Sequence, residues 1–378
     1  MRERRHVEAQ DAVASRAAHQ RLVRAKRAWA QLDDTAKFEL VCELVDTRSD
    51  ELTRAYTGVL AVAAGHARYR RRNARRKSVD REPAVTFLVE RKWPAKRKVP
   101  RAGDVPARLW AYAYVGGRRE LCAVPTDVED ARHYRLRAQA RAHVLVTPPA
   151  AMVGINRGRG AVTCVIRTSA DSPDAYVMSC RHVFGLTAST AAHPLQAEVA
   201  RDDGGTPSPP VLARVGDIYG PLSSTSRHNF DVALARLEVG ERSDALSAVL
   251  DRLSPVDGLP YVDGHTAISQ LDEYVILAPT GDKRAKYVRG WPATGQPPVD
   301  YDRLGLLRQG VLVIESSVLD ASPRAGDSGA PVVTRDRTRL VGMHFAGVNE
   351  TSYMIPAYEL VKRSNYVGFG DGEPFVIG

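Results

Sequence analysis

The spacing of apolar side chains changes from a helical to a strand-like period near residue 84. Before that point, apolar residues recur on one face in three segments, which predict helices over 7–29, 35–45 and 50–62. Two aspartates directly precede the second segment, and they favour an N-cap there. The pattern therefore predicts a helical N-terminal segment that ends before residue 79.

From residue 84 onward, short apolar runs alternate with proline and glycine. Runs of this length and composition are typical of β-strands bounded by turns. The first of them predict strands over 84–90, 109–115 and 121–124. Residues 80–150 are therefore expected to form a β-rich lead-in to the rest of the chain.

One loop motif carries the clearest chemistry in the chain. Residues 326–331 read Gly-Asp-Ser-Gly-Ala-Pro and are followed by an apolar pair. A nucleophilic Ser328 needs an exposed hydroxyl, and the backbone N–H groups of Gly326 and Ser328 could together hold a developing oxyanion. Gly, Asp and Ser are also the ordinary residues of tight turns, so the motif alone leaves a structural loop open.

Two upstream segments supply the partners that such a serine needs. His182 follows the apolar run 175–178, and Asp231 opens the apolar run 232–237. A lone histidine beside apolar residues is usually structural, and an aspartate before a strand is often a turn residue. The three together, in the order His182, Asp231, Ser328, predict a catalytic triad.

These motifs resemble those of the trypsin/chymotrypsin-like serine protease superfamily, in its divergent bacterial form. The resemblance implies a fold of the α+β class, mainly β: a chymotrypsin-like double β-barrel with an N-terminal helical extension. Residues 1–79 would be a helical, basic regulatory or recruitment segment, and 80–150 the lead-in. The protease domain would span 151–378, with barrels at about 160–240 and 265–360.

Finer expectations for the barrels come from the turn residues between strands. The first barrel is expected to be interrupted by a loop over 202–210. Strands of the second are expected over 274–277, 311–315, 331–334 and 340–345, with a long surface loop at 290–303. The active site would lie between the barrels, because His182 and Asp231 belong to the first and Ser328 to the second.

The resemblance also assigns roles. His182 would act as general base and then acid, Asp231 would orient it, and the backbone N–H groups of Gly326 and Ser328 would form the oxyanion hole. This chemistry requires neither a metal nor a cofactor. No Arg-Ile-Val-Gly-Gly activation sequence precedes the expected barrels, so Asp327 should be satisfied by groups other than a new N-terminal amine.

Four residues are candidates for substrate binding. By the resemblance, the specificity pocket would have Ser322 at its base and a wall that includes His344, Ala346 and Gly347. Since no acid occupies the base, selection of Lys or Arg loses its main support. His344 indicates Glu or Gln before the scissile bond, or a small uncharged residue if this histidine is instead a satisfied core residue.

Charge is concentrated near the N-terminus of this 378-residue chain. Residues 1–110 hold 26 Lys and Arg against 14 Asp and Glu, whereas the whole chain has a net charge of +10. Basic runs at 70–77 and 91–98 could bind nucleic acid, although a solvated charged surface is the favoured interpretation. The segment 1–79 could equally bind a regulatory partner.

The start of the chain shows no secretory leader, and no apolar run is long enough to span a membrane, so we expect a cytoplasmic protein. Four singly spaced cysteines are then expected to be thiols, with no spacing typical of zinc. The sequence thus predicts an intracellular serine endopeptidase acting on a specific protein substrate, such as an effector in bacterial regulation or defence signalling. The alternatives are an inactive protease-fold binding or signalling protein and a nucleic-acid-associated protein.

Overall fold

The computed structural model describes most of the chain. The described residues are 2–69, 78–90, 104–130, 136–137, 152–154, 160–183, 197–200, 211–219, 228–238, 256, 258–293, 296, 299–301, 305–324, 326–366 and 369–378. The basic stretches 70–77 and 91–98 and the expected loop 202–210 lie outside them. The chain forms two compact units, Met1–Ala131 and Arg132–Gly378.

The first unit packs two helices on a small sheet. Its elements are α1 (Arg2–Gln31), α2 (Asp34–Ala55), β1 (Val59–Tyr69), β2 (Ser78–Val89), β3 (Arg108–Val115) and β4 (Arg118–Asp130). The strand order is β1-β2-β4-β3, with β2 and β4 parallel and the other pairs antiparallel. Gly116 and Gly117 both have positive φ and form the two-residue turn of the β3–β4 hairpin.

One hydrophobic core joins the helices to all four strands of this unit. Side chains such as Trp29 of α1, Leu44 of α2, Phe87 of β2 and Cys122 of β4 are buried together. The expected N-cap is present, because the Asp33 side chain accepts a 2.8 Å hydrogen bond from the backbone N–H of Ala36. Because the helices share this core with the strands of the lead-in, 1–79 and 80–131 depend on each other for burial.

The third predicted helix was wrong. The second helix continues to Ala55, and Gly58 then adopts a positive φ that ends it before β1 begins at Val59. Val59 and Val62 are β-branched and buried, which suits a strand inside a core better than a helix. The three strands expected in 84–124 are confirmed as parts of β2, β3 and β4.

The second unit begins with an eight-stranded sheet. Its strands are β6 (Met152–Gly154), β7 (Gly160–Ala161), β8 (Cys164–Arg167), β9 (Ala175–Ser179), β10 (Ala197–Ala200), β11 (Val211–Tyr219), β13 (Ala233–Glu238) and β22 (Val376–Ile377). Their order is β22-β8-β9-β13-β11-β10-β6-β7, and neighbours in this order pair antiparallel. The buried run in β9 and β13 lines its core.

Six further strands close into a barrel. They are β14 (Tyr274–Ile276), β15 (Lys283–Trp291), β18 (Val313–Val318), β19 (Pro331–Thr334), β20 (Leu340–Val348) and β21 (Thr351–Pro356). Each pairs antiparallel with the next in the cycle β14-β15-β18-β21-β20-β19, and β19 returns to β14. The mainly β fold class, with a closed barrel and N-terminal helices, is confirmed.

Shorter elements complete the second unit. They are β5 (Leu136–Arg137), β12 (His228–Asn229), β16 (Val299–Tyr301), β17 (Gly305–Gln309), α3 (His265–Ser269) and α4 (Ala357–Leu360). The predicted surface loop at 290–303 was wrong in two places, because Gly290 and Trp291 end β15 and Val299–Tyr301 form β16. Trp291 is fully buried and donates a 3.0 Å hydrogen bond to Glu315, a contact that the sequence pattern does not reveal.

Candidate active site

Strand pairing brings His182 and Asp231 together. His182 follows β9 and Asp231 precedes β13, and these strands pair antiparallel with Ala233 opposite Ser179. Asp231 Oδ2 lies 2.7 Å from His182 Nδ1, while Asp231 Oδ1 accepts a 3.1 Å hydrogen bond from the backbone N–H of His182. Both side chains are buried. A carboxylate in this position favours the tautomer with its proton on Nδ1, which turns Nε2 into the basic atom.

Asp231 is held in turn by a glutamine that the sequence analysis missed. Gln309, at the end of β17, accepts a 2.7 Å hydrogen bond from the backbone N–H of Asp231 through its side-chain oxygen. Gln296 fixes the backbone of Gln309 by donating to its carbonyl at 2.7 Å and accepting from its N–H at 2.9 Å. All three residues are buried. Because neither glutamine belongs to a motif, the sequence contains no pattern from which these contacts with Asp231 could have been predicted.

The Ser328 loop depends on two glycines. Gly326 and Gly329 have φ values of 97° and 89°, in the region that favours glycine. A Cβ on Gly329 would lie 2.1 Å from the Ala161 carbonyl oxygen, so a side chain there would clash with the backbone of β7. The Gly329 N–H donates to the His344 carbonyl at 2.8 Å, and the Ser328 carbonyl accepts from the Ala161 N–H at 2.8 Å. These contacts fix the loop on both sides of the serine.

The loops that contain Ser328 and His182 contact the same neighbouring residues, Gly160 and His344. A Cβ on Gly160 would contact both Val183, the residue after His182, and the Ser328 carbonyl oxygen. The His344 carbonyl accepts from the Gly329 N–H and, at 3.6 Å, from the Cys180 thiol. The Ser328 hydroxyl itself donates to the Phe345 carbonyl at 3.4 Å. That bond is long, so little energy opposes rotation of the hydroxyl toward an imidazole.

Asp327, between the two site glycines, is satisfied inside the protein. Its carboxylate accepts hydrogen bonds from the Thr280 hydroxyl at 2.7 Å and from the Arg324 N–H at 2.7 Å. Lys283 completes the set with its ammonium 3.1 Å from Asp327 Oδ2. Groups within this chain therefore satisfy the Asp327 carboxylate, as expected, without a new N-terminal amine.

The four expected substrate-binding residues fall in different environments. His344 is buried in β20, with Nδ1 2.7 Å from the Ser352 hydroxyl, and Ala346 is also buried. Ser322 is exposed, and Gly347 approaches Pro323 so closely that a Cβ on it would lie 2.9 Å from that ring. Gly347 thus lies against the segment that contains Ser322, while the pocket role of all four stays a prediction.

Burial controls the charge of His344. It lowers the pKa of this imidazole to about 4, against the opposing effect of the Asp327 carboxylate, and the nearby Lys283 and His182 lower it further. His344 is therefore neutral near pH 7. A neutral imidazole donates one hydrogen bond and carries no charge to a ligand.

Cys180, His182 and Asp231 are also a geometric candidate for a metal site, because one ligand atom from each lies within 4.8 Å of the others. In this structure, however, these side chains make hydrogen bonds within the protein: Cys180 to the His344 carbonyl, and His182 to Asp231. Burial raises the pKa of the Cys180 thiol well above its usual value, and the thiol donates to the His344 carbonyl. In this arrangement the protonated Cys180 thiol packs close to His182 and Asp231 and contributes to the structure of the site.

Comparison with known proteins gives likenesses of structure alone. No family model matches the chain, and no curated protein matches it. Similar solved structures include the HRV-C 3C protein with rupintrivir (TM-score 0.32, 11% identity, 55% of this chain and 90% of that chain). HL collagenase gives a TM-score of 0.34 at 12% identity, over 59% of this chain and 94% of that one.

A third similar structure is the scabies mite inactivated protease paralogue S-D1, with a TM-score of 0.33 and 13% identity over 62% of this chain and 98% of that chain. All three TM-scores are low, so these likenesses carry no argument about the site. The fold assignment rests on the strand pairings given above. The described residues include no helix both long and apolar enough to cross a membrane.

Proposed function

We propose that this protein is a serine endopeptidase that uses His182, Asp231 and Ser328. The observation that carries the proposal is the buried imidazole–carboxylate pair, with Nδ1 and Oδ2 2.7 Å apart. It is joined by a serine between two positive-φ glycines, whose loop meets the residue after His182 at Gly160. Packing alone does not require an acid and an imidazole to be buried together at paired strand ends. A buried pair of this kind is what a general base needs in order to be oriented and stabilised.

In the proposed reaction, Ser328 Oγ attacks the carbonyl carbon of the scissile bond while His182 Nε2 takes its proton. The backbone N–H groups of Gly326 and Ser328 stabilise the oxyanion. His182 then protonates the leaving amine, which leaves an acyl group on Ser328. Water, activated by the same imidazole, releases the acid product and restores the serine.

Serine rather than cysteine is the nucleophile in this proposal. The chain carries Ser328 in the glycine-flanked loop, and the nearest thiol, Cys180, is buried with a raised pKa. A thiol in that state is a poor nucleophile. Neither a metal nor a cofactor takes part in any step.

For the substrate we propose a particular protein in the cytoplasm, cleaved after a glutamine. A neutral His344 can donate one hydrogen bond to a side-chain carbonyl, whereas a glutamate would bring a charge that nothing in this imidazole compensates. Residues 1–79 contribute no proposed catalytic residue, so this segment is available for regulation or recruitment. An enzyme with such a segment suits the cleavage of one effector in regulation or defence. That segment would regulate the enzyme or recruit it to a partner.

A fluorophosphonate probe tests the proposal directly. The full-length protein should be labelled once, and Ser328→Ala should abolish both labelling and peptide cleavage while the melting temperature stays within a few degrees. Ser364→Ala is the matched control, because that serine is exposed and remote in sequence from the loop. Failure of the wild-type protein to label, with the fold intact, would favour the inactive binding or signalling protein instead. Cleavage sites that appear in a proteome with the wild type but not with Ser328→Ala would then identify the substrate.

A further inference from the structure

The first compact unit presents a row of exposed aromatic rings on β3. Trp110, Tyr112 and Tyr114 are 42%, 54% and 76% exposed, and they are among the few large apolar side chains exposed in the described residues. They occupy alternate positions, so they share one face of the strand, with successive Cα atoms of the row about 6–7 Å apart. The alternating residues on the other face, Leu109, Ala111, Ala113 and Val115, pack against the hydrophobic core.

The position of β3 in its sheet keeps this row accessible. Within the first unit it pairs with β4 and ends the order β1-β2-β4-β3. One face of β3 is therefore buried in the core, and the face that carries the aromatic side chains is exposed to solvent. Large aromatic side chains grouped on a surface usually mark a binding site, because their exposure has a hydration cost that a partner removes.

Arginines accompany the rings. The guanidinium carbon of Arg119, on β4, lies 4.6 Å from the centre of the Tyr112 ring. The guanidinium carbon of Arg21, on α1, lies 5.7 Å from the centre of the Trp110 ring. A guanidinium group stacked on a ring still has N–H groups at its edge, and these suit phosphate oxygens.

The distribution of charge between the two units points to the nature of the ligand. Residues 1–131 contain 28 Lys and Arg against 18 Asp and Glu, so this unit carries the whole net charge of +10. Residues 132–378, which contain the candidate active site, balance 26 against 26. Twelve of the basic residues of the first unit lie in 70–77 and 91–101, outside the described residues, so this charge attracts a polyanion to the unit as a whole. Arg21 and Arg119 place positive charge at the rings themselves.

We propose that the β3 aromatic row, Trp110, Tyr112 and Tyr114 with Arg21 and Arg119, binds single-stranded nucleic acid. The rings stack on unpaired bases, and the arginines bind the phosphates between them. A duplex is a poor fit because its base faces are already stacked on each other. An acidic protein surface would use the charge but leave the flat rings without stacking partners.

Fluorescence anisotropy with the full-length protein tests this binding. The probes are a labelled dT15, a labelled U15 and a 15-base-pair duplex. The single strands should bind, with an affinity that falls as salt rises. Tyr112→Ala and Tyr114→Ala should each weaken binding about five- to a hundredfold, whereas Tyr112→Phe keeps the ring and should retain it. Leu60→Ala, which removes an exposed aliphatic side chain from β1 of the same unit, is the control and should change nothing.

Several results would overturn the proposal. They are the absence of single-strand binding, equal affinity for the duplex, or single-strand binding that depends on salt but is insensitive to the tyrosines. Displacement of dT15 by poly-glutamate as effectively as by unlabelled U15 would show that only charge is recognised. A drop in molecular mass by light scattering in Tyr114→Ala would assign the face to a second copy of the chain. Labelling of Ser328 by a fluorophosphonate is a separate readout, so peptidase activity and this binding can fail independently.

Discussion

Lys283 Nζ lies 3.1 Å from Asp327 Oδ2, and neither side chain exposes more than 2% of its surface. The lysine also donates to the Thr280 hydroxyl at 2.7 Å and to the Gly281 carbonyl at 2.9 Å. Asp327 is the residue between Gly326 and Ser328, so its carboxylate anchors the backbone that would form the oxyanion hole. The pair therefore links the start of β15 to the geometry of the Ser328 loop.

Lys283→Met should damage catalysis more than substrate binding. Removing one member of a buried ion pair leaves an uncompensated charge, which costs about 3–5 kcal/mol of stability. A displaced loop would lose oxyanion contacts, so kcat should fall on the order of 10²-fold with little change in KM. Lys286→Met is the matched control, since Lys286 lies on the same strand but its ion pair with Glu273 is partly exposed.

The double variant Lys283→Met/Asp327→Asn separates positioning from stability. It removes both charges, so the melting temperature should recover in part while kcat stays low. A normal kcat in Lys283→Met, measured well below its melting temperature, would show that the pair does not position the loop.

Active protein should carry no new N-terminus near residues 150–160. In enzymes activated by cleavage, a freed amine must reach the aspartate beside the nucleophile, but here the side-chain amine of Lys283 already contacts Asp327. N-terminal sequencing of fluorophosphonate-labelled protein checks this. A uniform terminus between 150 and 160 in the labelled fraction, absent from the unlabelled one, would contradict it.

Gln309→Leu should lower kcat through Asp231. The substitution leaves the buried N–H of Asp231 without its acceptor, which costs about 1–3 kcal/mol of stability. A shifted Asp231 orients His182 less well, so kcat should fall about tenfold or more. This loss is smaller than the roughly 10⁴-fold loss expected for Asp231→Asn, which removes the carboxylate itself. Gln270→Leu, at an exposed position, is the control. Unchanged kcat in Gln309→Leu with the expected loss of stability would limit Gln309 to a structural role.

The sequence predicted those parts of the candidate site in which residue type and order follow from the proposed chemistry. His182, Asp231 and Ser328 stand at strand ends, and the glycines beside Ser328 are required by backbone angles, so a local pattern suffices. Lys283 was missed because a lysine in Gly-Asp-Lys-Arg is typical of an exposed turn. Only the tertiary contact with Asp327, 44 positions further on, explains its burial.

The errors in the fold have the same origin. Val59 and Val62 lie three positions apart, which satisfies helical spacing but not regular strand spacing. Both enter the core because the pairing of β1 with β2 shifts register between Val59 and Ala61. Trp291 lies beside prolines and glycines that are typical of loops, yet Glu315 and Arg289 give it partners inside the barrel. Local composition could not reveal either partner.

Stability should decline in acid partly because of His344. The folded protein holds the pKa of this imidazole at about 4, below its ordinary value of 6.5, so the unfolded chain binds more protons between these values. The contribution is therefore complete above pH 6.5 and is lost as the pH falls toward 4, by up to about 3 kcal/mol. His344→Asn should flatten the melting temperature between pH 4.5 and 7 relative to wild type, whereas His19→Asn, at an exposed position of α1, should not. Parallel pH profiles for wild type and His344→Asn would contradict this account.

Cleavage should prefer glutamine over glutamate before the scissile bond. His344 has Nδ1 held by Ser352, so we expect Nε2 to face the substrate, and a neutral ring offers it one donor without charge. A peptide library analysed by mass spectrometry should show this preference unchanged between pH 6 and 8, because the imidazole does not titrate there. Ser352→Ala should reduce the preference by releasing the ring, while Ser364→Ala should leave it intact. Dominant cleavage after Arg or Lys would reject the prediction, and it would require an acid other than Asp320, which already binds Arg284 at 2.8 Å.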